Sequence, residues 1–272
     1  MDAWSARMSL LLDSLLAALP ANARILDAGG WFKPHPAATH IADLMPYETR
    51  RGVVTCAPLP GERFTKANWV QADFLDQRLH LPFADQFFAF SLCTQTLEDL
   101  ADPEPLLREL RRVSSAGYIE TPSRLYEQTT GRRDRMSTKP GQGHHHWIVE
   151  KTPEGRLMFF SKADSLDRHP GACVPLTIAE RLAHEDESRL VCALAWRVTL
   201  DWELVRGISS REGAAEFTRG LAISFRDRAI DSTLRALRRL RYFRARHYDH
   251  EIHLWWEKML VLSHPYSSLP LR

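Results

Sequence analysis

The stretch that decides the fold is residues 24–43, which read Arg-Ile-Leu-Asp-Ala-Gly-Gly-Trp-Phe-Lys-Pro-His-Pro-Ala-Ala-Thr-His-Ile-Ala-Asp. A short apolar run ends at Asp27, and Gly29 and Gly30 then allow a tight turn at the strand's carboxyl end. A second short run ends at Asp43. In open α/β sheets ligands bind outside the carboxyl ends of the strands, where a glycine turn admits a cofactor and an acid binds ribose hydroxyls. The stretch therefore predicts a site for a nucleoside-containing cofactor.

The chain on either side of this stretch alternates between predicted helices and strands. Residues 3–18 space apolar side chains at helical intervals, and residues 103–113 form a second predicted helix with a proline in its first turn. Apolar runs at 69–73, 87–93 and 117–121 predict further strands. This alternation predicts an α/β fold, a three-layer sandwich with a mainly parallel sheet.

The sequence changes character after Pro122. Residues 123–143 are polar and basic, which is typical of a lid, a binding loop or a disordered segment. A predicted hairpin, a short helix, one or two strands and C-terminal helices follow at 146–160, from 177, at 190–204 and from about 214. We expect two parts of one domain: residues 1–122 form the cofactor-binding core, and residues 123–272 supply a lid loop, sheet completion and a helical elaboration.

Composition excludes several classes of protein. The 272 residues are 44% hydrophobic and 26% charged with a net charge of +2, as in an ordinary globular protein with no need for a polyanionic partner. The Arg-rich helix predicted near 235–246 has an apolar side, so a packed amphipathic helix explains it and nucleic-acid binding is not expected.

We also expect no signal peptide and no membrane span. Four scattered cysteines without a CxxC pair favour reduced thiols in a cytoplasmic protein.

Three segments of the first half form an ordered series of motifs. Residues 25–30 read Ile-Leu-Asp-Ala-Gly-Gly, residues 81–90 read Leu-Pro-Phe-Ala-Asp-Gln-Phe-Phe-Ala-Phe, and residues 97–103 read Leu-Glu-Asp-Leu-Ala-Asp-Pro. Together they resemble the class I S-adenosylmethionine-dependent methyltransferases in their small-molecule, type 11 form. The resemblance covers roughly residues 22–122 and implies a Rossmann-like fold. Asp99 stands where a histidine is common in that family.

The resemblance also implies S-adenosyl-L-methionine as the cofactor. Asp43 takes the place of the family's ribose-binding acid, and Asp73 that of the acid that hydrogen-bonds the adenine amino group. A capping or turn carboxylate is the alternative for each. The expected cofactor-binding residues are Asp27, Gly29, Gly30, Trp31, Asp43, Asp73, Phe74 and Cys93.

The glycine turn departs from the family pattern. Trp31 stands where a small residue is usual, and residues 33–36, Lys-Pro-His-Pro, stiffen what is normally the start of a helix. The chain resembles a divergent branch of the family that carries a GG-x-x-KP turn and a later Gly-His-His-His-Trp. The indole of Trp31 either stacks beside the methionine part of the cofactor or fills the site.

Three consecutive histidines, His144, His145 and His146, form the second unusual feature. If the segment is extended, His144 and His146 share one face at a spacing that suits one metal ion. Glu120 (or Asp99 or His35) would supply a third ligand, giving a site for zinc or a two-histidine, one-carboxylate site for iron. The alternatives are surface histidines, or a histidine that acts as general base, since its ordinary pKa of about 6.5 suits that role near neutral pH.

These residues predict a methyltransferase that acts on an oxygen or nitrogen of a small molecule, with biosynthesis in specialised metabolism as its setting. A histidine among 144–146 is the expected base, and Glu120 binds a substrate amine or orients that histidine. Arg124 and the basic loop suit an anionic substrate, although a solvated loop explains them equally well. Aromatic residues near the C-terminus suit either the core or a homodimer interface. The alternatives are a metal-dependent enzyme on the same fold and an inactive binding protein.

Overall fold

The computed structural model describes residues 11–52, 61–130, 140–166, 172–221 and 223–242. Two β-sheets and their flanking helices make up this part of the chain. The strands are β1 (Ile25–Ala28), β2 (His40–Asp43), β3 (Trp69–Gln71), β4 (Phe90–Thr94), β5 (Ala116–Pro122), β6 (Trp147–Lys151), β7 (Leu157–Ser161), β8 (Val191–Arg197) and β9 (Trp202–Val205). The helices are α1 (11–17), α2 (Glu104–Val113), α3 (Arg124–Glu127), α4 (Lys162–Leu166), α5 (Leu176–Glu185), α6 (Ile208–Gly220) and α7 (Phe225–Tyr242).

The main sheet has the strand order β3-β2-β1-β4-β5-β8. Its first five strands are parallel, and β8 pairs antiparallel with β5 along its whole length. Because β1, β2, β4 and β5 run in the same direction, their carboxyl ends lie along one edge of the sheet, and we call this the carboxyl edge. The predicted α/β fold with a mainly parallel sheet is confirmed.

Alternating side chains of the central strands pack against helices on opposite faces of the sheet. Ile25 faces the leucines of α1, whereas Leu26 faces the leucines of α2. Helix α2 buries its apolar side completely, in agreement with the helix that its 3.6-residue spacing predicts. Helices thus cover both faces of the sheet, and the polar side chains lie at the carboxyl edge.

The connection between β1 and β2 differs from the usual crossover of a parallel sheet. Such crossovers are commonly a dozen or more residues long and contain a helix. Residues 29–39 are all described here, and they form turns and bends without a helix. Gly29 begins the connection at φ +85°, a conformation that favours glycine.

The second sheet has the order β6-β7-β9. Strands β6 and β7 form the hairpin that the sequence predicts, and β9 pairs parallel with β7. The predicted strand region 190–204 is divided between the two sheets, since β8 joins the first and β9 the second. The C-terminal half thus both extends the main sheet and builds a small sheet of its own.

Several sequence expectations fall outside the described residues. They concern the start of the helix predicted at 3–18, the basic loop residues Arg132, Arg133, Arg135 and Lys139, Cys56, and the chain beyond residue 242 with the rest of its arginine-rich stretch. Among the helices that are described, none has the length and apolar character needed to cross a membrane.

Gly117 offers a test of the sheet packing. A Cβ added at this residue of β5 would lie 2.6 Å from Trp196 Nε1 and 2.7 Å from the Ser91 carbonyl oxygen. We expect Gly117→Ala to lower the free energy of unfolding by about 1–3 kcal/mol in urea denaturation, because neighbouring strands must move apart. Gly220→Ala, at the end of α6 with nothing within 4 Å of the added Cβ, is the matched control and should keep or slightly raise stability. Equal stability of the two variants would contradict the packing described here.

Candidate functional site

Two buried carboxylates hold the connection between β1 and β2. Asp27 Oδ2 accepts a hydrogen bond from the backbone N–H of His35 at 2.8 Å. Asp43 accepts two, from the Trp31 N–H at 3.0 Å and from the Met45 N–H at 2.9 Å. Both acids lie at the carboxyl edge, where the sequence places the candidate ribose and cofactor contacts.

The two glycines of the turn lie against side chains of their own protein. A Cβ added at Gly29 would collide with the side chain of Thr96, and one added at Gly30 would lie 2.6 Å from Asp27 Oδ2. Gly29 is therefore required for the close packing of the β1 turn against Thr96, which follows β4, and Gly30 for the close approach of that turn to the Asp27 carboxylate.

Burial raises the pKa of a whole set of acids at this edge. The pKa of Asp27 is raised to about 7 and that of Asp43 to about 6, in both cases chiefly by loss of solvent. Burial also raises the pKa of Glu98 well above its ordinary value, and it raises the pKa values of Asp99 and Glu120. Oε2 of Glu98 is buried and has no hydrogen-bond partner in the described part of the chain. The edge is thus rich in desolvated carboxyl groups, which suits a ligand that brings positive charge or hydroxyl donors.

Trp31 is buried at the carboxyl edge. Its side chain is 6% exposed and packs with Met45 and the partly buried Trp69. The indole N–H donates to the carbonyl oxygen of Thr49 at 2.7 Å. The ring is therefore fixed next to the strand end that carries Asp43.

The other expected cofactor-binding residues, Asp73, Phe74 and Cys93, differ in how far they are exposed to solvent. Asp73 is exposed and its Oδ1 accepts the Leu75 N–H at 2.9 Å, while Phe74 is buried in the main core. Cys93 is buried in β4, and burial raises the pKa of its thiol well above the ordinary value. Asp27 and Asp43 are therefore buried at the carboxyl edge, whereas Asp73 is exposed to solvent. Phe74 and Cys93 are buried in the hydrophobic core.

The histidine segment lies beside the loop that follows β4. Nε2 of His144 is 3.5 Å and Nε2 of His145 is 3.4 Å from Asp99 Oδ1, and the two rings meet edge to face. The backbone of His146 is tied to the same loop, because its N–H donates to the Glu98 carbonyl oxygen at 2.7 Å.

The group of possible metal ligands differs from the one that an extended segment predicts. Within the described residues it consists of Asp99, His144 and His145, and it includes neither His146 nor Glu120. The physical reason is a turn at residues 143–144, which brings adjacent rings together before β6 begins. Glu120 lies elsewhere, with its carboxylate accepting hydrogen bonds from the Tyr118 hydroxyl at 2.8 Å and from Gln95 Nε2 at 3.3 Å.

A buried ion pair supports the histidines, and sequence reasoning missed it. Glu127 is fully buried in α3; its Oε1 is 2.6 Å from His145 Nδ1 and its Oε2 is 2.5 Å from Lys162 Nζ. No local pattern marks Glu127 or Lys162, because α3 is a single turn started by the Ser123 cap and Lys162 opens a different helix.

The described residues line two cavities that bear on the candidate site. One, of about 370 Å³, is lined by polar residues that include His144, His145, His146, Lys162, Asp164 and Arg206. The other, of about 900 Å³, is mostly apolar and contains Arg124, but that guanidinium pairs with Glu150 at 2.6 Å. The anion-binding role expected for Arg124 is thus met by a partner inside the protein, whereas the smaller cavity borders the histidines.

Part of the chain is similar to a known protein family. Residues 37–119 match the model of a protein family described as "Methyltransferase domain". This part of the chain is therefore similar to methyltransferase domains, in agreement with the resemblance of its motifs to class I S-adenosylmethionine-dependent methyltransferases. The methyltransferase match spans β2 to β5 and so includes Asp43 and the loop with Glu98 and Asp99. No curated protein sequence matches the chain significantly.

Solved structures show only distant similarity. A methyltransferase from Mesorhizobium loti is 18% identical over 76% of this chain and 78% of its own, with a TM-score of 0.32. A methyltransferase in complex with the Trm112 activator of Haloferax volcanii is 14% identical over 72% and 95%, with a TM-score of 0.37. The [4+2]-cyclase SpnF is 21% identical over 42% of this chain and 45% of its own, with a TM-score of 0.33, so the match spans less than half of that protein. Similarity at this level says nothing about substrate.

Asp27 yields a prediction about stability and pH. Its pKa is raised in the folded protein, so the folded state holds a proton that the unfolded chain releases near its ordinary pKa of 3.8. This group therefore stabilises the fold less as the pH rises from about 4 to 7. Asp27→Asn keeps an acceptor for the His35 N–H and removes the titration. We expect its free energy of unfolding, relative to that of the wild type, to rise from pH 5 to pH 8, by about 1.4 kcal/mol for each pH unit below the pKa near 7.

Urea unfolding at both pH values measures this difference. The exposed residue Asp201 supplies the control, since Asp201→Asn should keep the pH dependence of the wild type. A difference between Asp27→Asn and wild type that stays constant with pH would refute the role of burial at Asp27.

The ion pair beneath the histidines yields a second stability prediction. Glu127→Gln leaves the nearly buried ammonium of Lys162 without its charge partner, and we expect a loss of about 3–5 kcal/mol in chemical denaturation. Glu203→Gln breaks the half-exposed pair with Arg156 at 3.6 Å and should cost about 0–1 kcal/mol. Equal losses in the two variants would show that burial does not strengthen the Glu127 pair.

Proposed function

We propose that the protein is an S-adenosylmethionine-dependent methyltransferase that methylates an oxygen or nitrogen atom of a small molecule. The observation that carries this proposal is the set of desolvated acids at the carboxyl edge of a sheet, most of which lies in the residues that match a methyltransferase domain. Asp27, Asp43 and Glu98 are each buried and each has a raised pKa. The fold alone would not support an activity, so the chemistry of this edge is decisive.

The chemistry of these residues fits the cofactor. S-adenosylmethionine carries two cationic groups, a sulfonium and an ammonium, and its ribose offers two hydroxyl donors. Asp43, at the end of β2, would accept the ribose hydroxyls, and Asp73, at the end of β3, would accept the adenine amino group. The unpartnered oxygen of Glu98 is an acceptor that such a ligand would satisfy.

Trp31 would form part of the cofactor site. Its backbone N–H is held by Asp43, so the position of the indole and the availability of the ribose-binding carboxylate are linked. The carboxylate already accepts two backbone hydrogen bonds, and ribose hydroxyls would have to use its remaining lone pairs or replace the Trp31 contact.

The acceptor molecule would bind in the cavity of about 370 Å³ beside the histidines. When bound, the cofactor supplies an electrophilic methyl group, so the task of the protein is to align the acceptor and remove its proton. A histidine among 144–146 is suited to take that proton near neutral pH. Arg206 lines the cavity and favours a substrate with a negative charge, whereas the charge of Lys162 is already paired with Glu127. Glu120, held by Tyr118 and Gln95, is the candidate to orient a substrate amine or a histidine.

Direct binding of the cofactor tests the proposal. We expect S-adenosylmethionine and S-adenosylhomocysteine to bind the wild-type protein in isothermal titration calorimetry with one site per chain. Asp43→Asn should weaken both at least tenfold, because hydrogen bonds to a charged group are worth about 1.5–3 kcal/mol. Asp201→Asn, which changes an exposed aspartate, should bind as the wild type does. Thermal denaturation of each variant confirms that it is folded.

Absence of binding to the folded wild-type protein at millimolar ligand would refute the methyltransferase proposal. Equal affinity of Asp43→Asn and wild type would refute the role of Asp43 alone.

A further inference from the structure

We propose that Asp99, His144 and His145 bind one divalent metal ion, and that this ion is zinc. These side chains come from two segments, the loop after β4 and the turn before β6, which meet beside the smaller cavity. The inference does not rest on methyl transfer, because it follows from the ligand geometry and is tested by metal binding.

The spacing of the ligand atoms is close to that of a zinc site. The two Nε2 atoms lie 3.5 and 3.4 Å from Asp99 Oδ1, and all three ligand atoms lie within 4.8 Å of one another. A tetrahedral zinc with ligands at about 2.0–2.1 Å separates neighbouring ligand atoms by roughly 3.3–3.4 Å. The two distances to Asp99 Oδ1 already match this separation.

The hydrogen bonding of His145 prepares it to be a ligand. Its Nδ1 lies 2.6 Å from Glu127, whose other carboxylate oxygen is paired with Lys162. An ionised Glu127 places the imidazole proton on Nδ1, so the Nε2 lone pair points towards Asp99. Histidine ligands of metal ions usually donate their other ring N–H to a carboxylate in this way, and the contact fixes both the tautomer and the ring orientation. A buried glutamate–lysine pair at this position is therefore explained as support for a metal ligand.

The surroundings leave a place for a fourth ligand. The side chains of Asp99 and His144 are about half exposed, whereas that of His145 is only 7% exposed. The cavity of about 370 Å³ is lined by the same histidines, so water or a substrate atom can reach the ion. Three protein ligands and one open position are typical of catalytic zinc. His146 lines the same cavity but is not part of the ligand group.

Zinc titration of chelator-treated, tag-free protein tests the site. We expect one Zn²⁺ per chain in calorimetry and elemental analysis, and a tetrahedral absorption spectrum when Co²⁺ is used as the probe. Asp99→Asn and His144→Ala alter half-exposed side chains, so both should remain folded. Each should weaken zinc binding on the order of 100-fold, and thermal denaturation checks the fold. His80→Ala, at a 70% exposed histidine on another surface, is the control and should bind zinc as the wild type does.

Two results would overturn the inference. If the folded wild-type protein shows no saturable zinc binding, or binds it equally well in Asp99→Asn and His144→Ala, the site is not where we place it. If the purified protein holds stoichiometric iron and no zinc, the choice of metal is wrong. Zinc binding without binding of S-adenosylmethionine would leave the metal site standing and refute only the proposed methyl transfer.

Discussion

The short connection between β1 and β2 depends on two buried carboxylates. With no helix in residues 29–39, the amides of Trp31 and His35 lack the partners that a helical crossover would provide, and Asp43 and Asp27 accept them instead. The cost is visible in their raised pKa values, since each acid loses its water. The same two acids belong to the site that we propose for the nucleoside, so one set of groups both holds the connection and forms the candidate site.

The loop after β4 contacts both candidate functional regions, the carboxyl edge and the histidine group. Its Thr96 packs against Gly29 of the β1 turn, and its Glu98 carbonyl oxygen holds the backbone of His146. Asp99 then faces the imidazoles of His144 and His145. The acids of the carboxyl edge and the histidine group are therefore attached to one short segment, which explains how a cofactor on one side and an acceptor on the other could meet.

Much of the fold could be predicted because its signals are local. Helix α2 follows from apolar spacing and a proline in its first turn, and the buried strand β4 follows from a continuous apolar run. Even the lack of a helix after Gly30 agrees with the prolines at 34 and 36. These features depend on neighbours within a few residues along the chain.

The candidate site could be predicted only in part, because its contacts are long-range. The site at the carboxyl edge can be predicted from Asp43 and from the strand order that its motif implies. The histidine group cannot, since a turn at 143–144 rather than an extended segment decides which rings meet. The support from Glu127 and Lys162 joins residues that are 35 positions apart in the sequence. The fixed place of Trp31 likewise depends on Thr49 and Met45 in a later segment.

A crystal structure of the protein with S-adenosylhomocysteine tests most directly whether the carboxyl edge around Asp43 is the nucleoside site. We expect the ribose hydroxyls within hydrogen-bond distance of the Asp43 carboxylate and the adenine on the side of Asp73. A nucleoside bound elsewhere, or a fully soaked crystal in which Asp43 keeps only its contacts to Trp31 and Met45, would contradict the account.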